Sequence, residues 1–484
     1  MFAAVDLGSN SFRLHIGKHD GDSIKIIKSA RDPIRLGAGL DAQGNLTPHA
    51  MMVAIQSLTQ LAALMSTYRL DAVRVVATNA MRIAGNAAEF LPAAEKAIGY
   101  PIEIISGEEE GRLIYFGVAC SLATPGGRRV VLDIGGGSSE LILGVGAEIE
   151  LVESFGIGTV NQSQAFFASG VIDAASFEAA ILSSRGRFED AAPLYRARGW
   201  DRAYGSSGTL RAIAEAIARN NIGDGALTRA NVELLKTRLI EFGHTSRIVM
   251  AGLKADRATI IVGGLAILIG AMQELGIDTM LPIEAGLRMG VLWDLQLRAT
   301  RRDRREPSIR AFMQRFGVDA ARAERAAEIA QLLYQRMKPA SDARARSLYW
   351  SALVHEAGLA VSHSGYHKHG AYLVANADLP GFTPREQHAM SLLVLGQKGN
   401  LKKINGFLED ADNAKAVLAM RLAMPLMHAH IDVALAGFKV RMKNRIEIEI
   451  RRDWLAEHPT LSYWMNKERD CWKELGVELV VKVD

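Results

Sequence analysis

An apolar run opens the chain in FAAVDLGSNSFRLHIG. It ends at Asp6, turns through Gly8 and Ser11, and resumes as a return strand over residues 13–16. The same alternation recurs in RVVLDIGGGSSELILG, where the apolar run ends at Asp133 and the return strand covers residues 140–143. Superposing Asp6 on Asp133 also aligns Gly8 with Gly135, Ser11 with Ser138 and Gly17 with Gly144. A third strand follows each copy, at residues 23–27 and 148–152. So many matches at one offset imply a duplicated domain with a cleft between the copies.

Helical spacing takes over after the first meander. Thr47 can cap a helix whose first position is Pro48, with Met51, Ile55, Leu58, Ala62 and Met65 on one face. Buried strands over residues 73–78 and 102–105 are each followed by helical pattern, which makes the first copy an α/β lobe. The second shows the same alternation and closes with the apolar segment at 260–268 and a helix near 287–297. The charged stretch RATRRDRREP reads as a solvated junction. Mostly helical pattern follows to about Ala436, and a small tail alternates Ile446, Ile448 and Ile450 with charge. The expected organisation is lobe I over 1–125, lobe II over 126–297, a helical domain over 303–436 and a small α+β domain over 437–484.

With 484 residues, 49% of them hydrophobic, the chain has enough apolar content for several cores. A formal charge of only +4 disfavours a nucleic-acid partner. Cys120 and Cys471 lie far apart without metal-ligand spacing and read as reduced thiols. The N-terminus lacks a basic start, and the apolar stretch at 259–272 is shorter than the roughly 20 residues a bilayer requires. A cytoplasmic protein without membrane association is expected.

Phosphates are held well by loops that present several backbone N–H groups at close range. Gly135, Gly136 and Gly137 allow that approach, and Ser138 and Ser139 add hydroxyls. Asp6, Ser9 and Asn10 belong to the facing turn, and Ser207, Gly208 and Thr209 lie in a third, GSSGT. None carries the lysine of a P-loop. Asp133 and Glu140 flank one turn and would suit magnesium, which takes few protein oxygens. In ISGEEEGRLIYFG, Ser106 can cap a helix with Glu109 reaching back in a capping box, which leaves Glu110 in the first turn as a base toward water.

Together AAVDLGSNSFRL, ATNAMR, ISGEEEGRLIYFG, VVLDIGGGSSEL and GSSGTLRAI resemble the exopolyphosphatase and guanosine pentaphosphate phosphohydrolase family. The resemblance implies a duplicated actin-like core of α/β class, as in acetate and sugar kinases and Hsp70 chaperones, with a helical HD-like domain and a small α+β C-terminal domain. It implies catalysis in the interlobe cleft with Mg2+, K+ as a further cation, and a homodimer. It places the base at Glu110, with Glu109 as competitor, metal contacts at Asp133 and Glu140, and a clamp on the leaving phosphate at Arg82. In the helical domain His355 and Glu356 stand where an HD site has a His-Asp pair, so no independent metal site is expected there. An anion track is implied instead, drawing on His363, His367, Lys368, His369, Lys398, Lys402 and Lys403.

The expected activity is removal of terminal phosphate from inorganic polyphosphate, with hydrolysis of guanosine pentaphosphate to tetraphosphate as the alternative. A kinase of the same fold and a non-hydrolytic phosphate sensor are more distant readings.

Overall fold

The computed structural model describes residues 1–484 apart from 21–22, 123–125, 254, 300–304, 378, 380, 429–437 and 484. The core of the charged junction and the expected boundaries at 303 and 436/437 therefore lie outside the described residues. The chain forms two compact units, Met1–Asp303 and Arg304–Asp484.

The first unit contains two five-stranded sheets. One is built from β1 (Phe2–Leu7), β2 (Phe12–Asp20), β3 (Ser23–Asp32), β4 (Ala72–Ala77) and β5 (Ile102–Ile104), in the order β3-β2-β1-β4-β5. The other uses β6 (Arg128–Ile134), β7 (Ser139–Val145), β8 (Glu148–Phe155), β9 (Arg202–Gly205) and β10 (Leu281–Pro282), in the matching order β8-β7-β6-β9-β10. In each sheet the first three strands are antiparallel neighbours and the last two join in parallel. Even the irregularities repeat, because the register shifts at Ile16/Gly17 in one sheet and at Leu143/Gly144 in the other. The duplicated α/β architecture read from the turns is thus the architecture of the unit.

Both faces of each sheet are covered, as the near-continuous apolar strands require. Ala3, Val5 and Leu7 of β1 join one core with the helices Pro48–Met65 and Ala87–Ile98, while Ala4 faces Val291, Leu292 and Leu295 of the helix Leu287–Ala299. Val131 and Ile142 of the second sheet pack on Ile114, Tyr115 and Val118 of the helix Gly107–Ser121. Each half therefore lends its closing helix to the other half's sheet, an exchange that boundaries drawn along the sequence do not reveal. The two helices cross so closely that a Cβ on Gly290 would lie 1.8 Å from the Leu113 carbonyl oxygen, and one on Gly117 2.4 Å from that of Gly286.

Two local expectations change. Thr47 caps its helix, accepting from the Ala50 N–H at 3.3 Å, with Pro48 at the first position. At Ser106 only half of the capping box forms: its hydroxyl accepts from the Glu109 N–H at 3.1 Å, but the Glu109 carboxylate turns away to Arg112. Ion pairing outcompetes the cap for that carboxylate. The apolar segment near residue 260 belongs to a 21-residue helix, Ala255–Leu275, and the stretch Arg257–Leu275 within it is long and apolar enough to cross a bilayer. It is instead the mostly buried centre of the second lobe, where Val262, Leu265 and Leu268 are fully enclosed. Burial, rather than shortness, explains its composition.

The second unit packs helices including Ala320–Arg336, Pro384–Gly396 and Ala411–His428 with a three-stranded sheet, β11 (Phe438–Met442), β12 (Ile446–Ile450) and β13 (Leu479–Val483). Ile446, Ile448 and Ile450 share one continuous core with Leu333, Leu418 and Leu422, so the tail and the helices form one hydrophobic body. A complete capping box occurs here, at Thr383 and Glu386.

Candidate functional site

The two Asp turns meet. A Cβ on Gly136 would lie 3.3 Å from the Ser9 Cβ and 3.5 Å from the Asn10 N, so the turns approach to the point where a side chain there would press on its neighbour. Each turn closes on itself in the same way, with Gly8 against the Ser11 carbonyl and the Gly135 N–H donating to the Ser138 carbonyl at 2.9 Å. The third turn sits at the start of the helix Gly208–Arg219, where Ser207 caps by accepting from the Leu210 N–H at 3.1 Å.

The cavity at this junction is lined by Asp6, Ser9, Asn10, Glu110, Asp133, Gly135, Gly136, Gly137, Ser138, Ser207, Gly208 and Thr209. Two expected residues are not on its wall. Arg82 stands against Glu110, with Nη1 and Nη2 both 3.3 Å from its Oε2 and Nη1 donating to the Ile105 carbonyl at 2.8 Å. These contacts tie its guanidinium to Glu110 beside the cavity wall, and the phosphate clamp the resemblance implies is not among them. Glu140 is 1% exposed and accepts from the Ser154 hydroxyl at 2.9 Å, with Ser138 donating to it as well. It sits behind the turn rather than among the lining groups. Ser138 therefore commits its side chain to Glu140.

The run of three glutamates is resolved by position on the helix. Glu110 lines the cavity, while Glu109 holds the buried Arg112 through contacts of 2.6 and 2.9 Å. Burial, and next the charge of Glu140, push the Glu110 carboxyl well above the ordinary range, with Arg82 opposing. Burial together with Asp133 lifts Glu140 to about 8, and burial lifts Asp133 to about 6 against the Ser206 hydrogen bond and Arg13. Burial also raises Asp6, whose Oδ2 lies 3.6 Å from Arg288 Nη1. Burial first, and mutual repulsion after it, disfavours the charged forms of this cluster, which a bound cation would relieve.

Five arginines share the cavity wall: Arg13, Arg31, Arg211, Arg257 and Arg288. Burial lowers Arg13, and it brings Arg288 down to about 10. Burial and the nearby arginines hold His15 neutral, at about 3. Arg13 holds, opposite Asp6, the position that Glu140 holds opposite Asp133. Arg31 on β3, Arg211 and Arg257 on two helices and Arg288 at the start of a third have no common spacing; only the fold gathers them.

Asp133, Asp6 and Glu110 are hard oxygen donors on the wall, and no group of three or more His, Cys, Asp or Glu among the described residues forms a complete metal cage. That donor set fits magnesium, which completes its shell with water and substrate oxygens. In the second unit, His355 is buried with Nδ1 2.6 Å from the Ala352 carbonyl oxygen, and Glu356 pairs with Arg322 at 2.6 Å. His367 is also buried; burial and then Lys403, Lys368 and Lys398 lower it to about 4.

Residues 15–299 match the Ppx/GppA phosphatase family, and residues 304–469 match that family's domain III. The chain belongs to the Ppx/GppA phosphatase family. Among solved structures it is similar to the Aquifex aeolicus member of the family at 27% identity and a TM-score of 0.52, over 62% of this chain and 98% of that one. It also resembles, in fold, an exopolyphosphatase from Cytophaga hutchinsonii at 22% identity and a TM-score of 0.55, over 61% and 97% of the two chains. A phosphatase acts on an anionic phosphorylated substrate, and the arginine wall supplies cations where such a group would enter.

Proposed function

We propose that this phosphatase is an exopolyphosphatase that hydrolyses the terminal phosphoanhydride bond of inorganic polyphosphate, with magnesium as cofactor. The carrying observation is a single cavity that combines Glu110, the amides of the Gly135–Ser138 turn and five arginines. So many cations exceed what one phosphate monoester requires and suit a run of linked phosphates. The two matched sheets about the cleft also favour the actin-like reading of the core.

Turn amides at Gly136 and Gly137 hold the terminal phosphoryl group, Gly135 closes the turn through its bond to Ser138, and Ser9 and Asn10 close on the phosphoryl group from the facing turn. Glu110 accepts a proton from the attacking water as the new P–O bond forms. The bridging P–O bond breaks, its electron pair leaves on the penultimate phosphate, and the arginine wall offsets that charge. Magnesium, when bound near Asp133 and Asp6, would supply further neutralisation. Preorganised charge and positioning account for most of the rate in such a loose transition state. A carboxyl raised by burial is a stronger base, and Arg82 keeps it oriented.

The test is phosphate release from long polyphosphate, short polyphosphate and guanosine pentaphosphate, side by side with Glu110→Gln. Polyphosphate is expected as the preferred substrate, with kcat about a thousandfold lower in the variant and chain binding nearly intact. Preference for guanosine pentaphosphate would overturn the substrate assignment, and an active Glu110→Gln enzyme the role of the base.

A further inference from the structure

Arg74, Glu109, Arg112 and Asp294 are 3, 7, 4 and 4% exposed and lie outside the cavity wall. Arg74 on β4 donates to Asp294 at 2.9 Å and to Glu109 at 3.4 Å. Arg112 donates to Glu109 at 2.6 and 2.9 Å and reaches Asp294 at 3.2 Å. Glu103 on β5 joins through Arg74 at 3.0 Å, and Arg298 joins through Asp294 at 2.7 Å. Three positive and three negative groups thus meet at one point. Burial would lift Asp294, but Arg112, Arg74 and Arg298 hold it well below the ordinary carboxylate range.

Glu109 and Arg112 belong to the helix Gly107–Ser121, and Asp294 and Arg298 to the helix Leu287–Ala299. These are the exchanged helices, and each delivers a cavity residue from its first turn, Glu110 from one and Arg288 from the other. Where they cross, glycine lets backbone meet backbone, and such smooth contact resists sliding weakly. Buried ion pairs add little stability over apolar packing of the same volume but are directional, so they fix register. Asp294 lies six residues, about 9 Å along the helix, from Arg288, and Glu109 directly precedes Glu110.

We propose that the Arg74–Glu109–Arg112–Asp294 network is a positioning device that sets the register of the two exchanged helices and thereby the placement of Glu110 relative to Arg288. None of the four touches substrate; they act through the helices. The proposal rests on the hydrolytic reading of the cavity.

Asp294→Asn and Arg298→Ala are compared with the parent full-length protein in kcat and KM for tripolyphosphate, with melting temperature measured alongside. Asp294→Asn is expected to lower kcat about thirtyfold while KM stays within about threefold, and Arg298→Ala to give a smaller fall in kcat with folding intact. A folded variant pair with kcat within about twofold of the parent, or with kcat lost only in proportion to the folded fraction, overturns the proposal. Should Asp294→Asn fail to fold, Asp294→Glu decides alone, since it keeps the charge while displacing the carboxylate by one methylene, and the same fall in kcat is expected. A parent that releases no phosphate from any polyphosphate defeats the hydrolytic reading instead.

Discussion

The two lobes share a backbone plan and differ in the charge placed on it. In the first sheet Asp6 is the cross-strand partner of Arg13; in the second Asp133 is the partner of Glu140. Opposite charges face each other in one copy and two carboxyl groups in the other, where burial and Asp133 keep Glu140 protonated up to a pH of about 8. Cross-strand pairs of opposite sign stabilise a sheet and like pairs destabilise it, so ionising both carboxyl groups strains the second copy while the first gains from its pair. The first turn thereby becomes part of a cationic wall with Arg288 and Arg31, and the second joins the raised carboxylates around Glu110. One fold, used twice, thus carries an aspartate–arginine pair in one copy and a pair of carboxyl groups in the other.

The asymmetry can be broken most severely at its cationic partner. Arg13→Ala should reduce kcat/KM for polyphosphate about a hundredfold, comparable to loss of one preorganised donor to a developing charge. Steady-state kinetics check this, and parent-like kcat/KM would mean that the pairing with Asp6 is only structural.

The shared backbone can be probed at its matched bulges. A Cβ on Gly144 would fall 2.2 Å from the Glu148 backbone oxygen and 2.7 Å from the Tyr115 ring, whereas one on Gly17 meets the Ile24 and Leu292 side chains at 2.7 and 3.1 Å. Side chains can yield more readily than backbone. Gly144→Ala should therefore cost about 3 kcal/mol and Gly17→Ala about 1 kcal/mol in denaturant unfolding. Equal losses would show that the two bulges tolerate volume alike.

The smallest effect concerns pH. Glu140 is raised to about 8 by burial and Asp133, so its contribution to stability is intact below the ordinary carboxylate range and lost as pH rises through about 8. Glu140→Gln removes that loss. Between about pH 5 and 9 the parent's melting temperature should fall by a few degrees more than the variant's, with the gap widest at the alkaline end. Parallel curves across that range would remove Glu140 as the source of strain.

Much of the fold is legible in the sequence because its determinants are local. The Asp-Gly-Ser turns, the bulge glycines and the Thr47 cap are each set by a few adjacent residues, and the repetition at a fixed offset revealed the duplication. Glu110 could be singled out from its helix position, but only the fold separates it from Glu109. Adjacent helical residues diverge by about 100°, and which one faces the cavity depends on partners far along the chain. Arg74 and Asp294, which help to hold Glu109 away from the cavity, are 220 residues apart. The arginine wall was hidden for the same reason. Arg82 and Glu140 carry recognisable motifs, yet their side-chain partners include Glu110 and Ser154, which motif spacing does not encode. The tail was read correctly as strands and helix, but its union with the helical core depends on apolar faces meeting across a stretch of sequence that has no periodic signature.

The exchange of closing helices bears on how such a chain can be divided or assembled. A fragment ending near Ser121 keeps a helix whose apolar face has no sheet of its own to cover, and it leaves β1 without Val291, Leu292 and Leu295. The complementary fragment has the reciprocal deficit. Two such pieces carry matched vacancies, so each is a template for the other, and the covalent link between them serves to raise local concentration more than to create the fit. In this sense the first unit is a domain-swapped dimer written into one polypeptide, and its halves gain their independence in function only by surrendering it in folding.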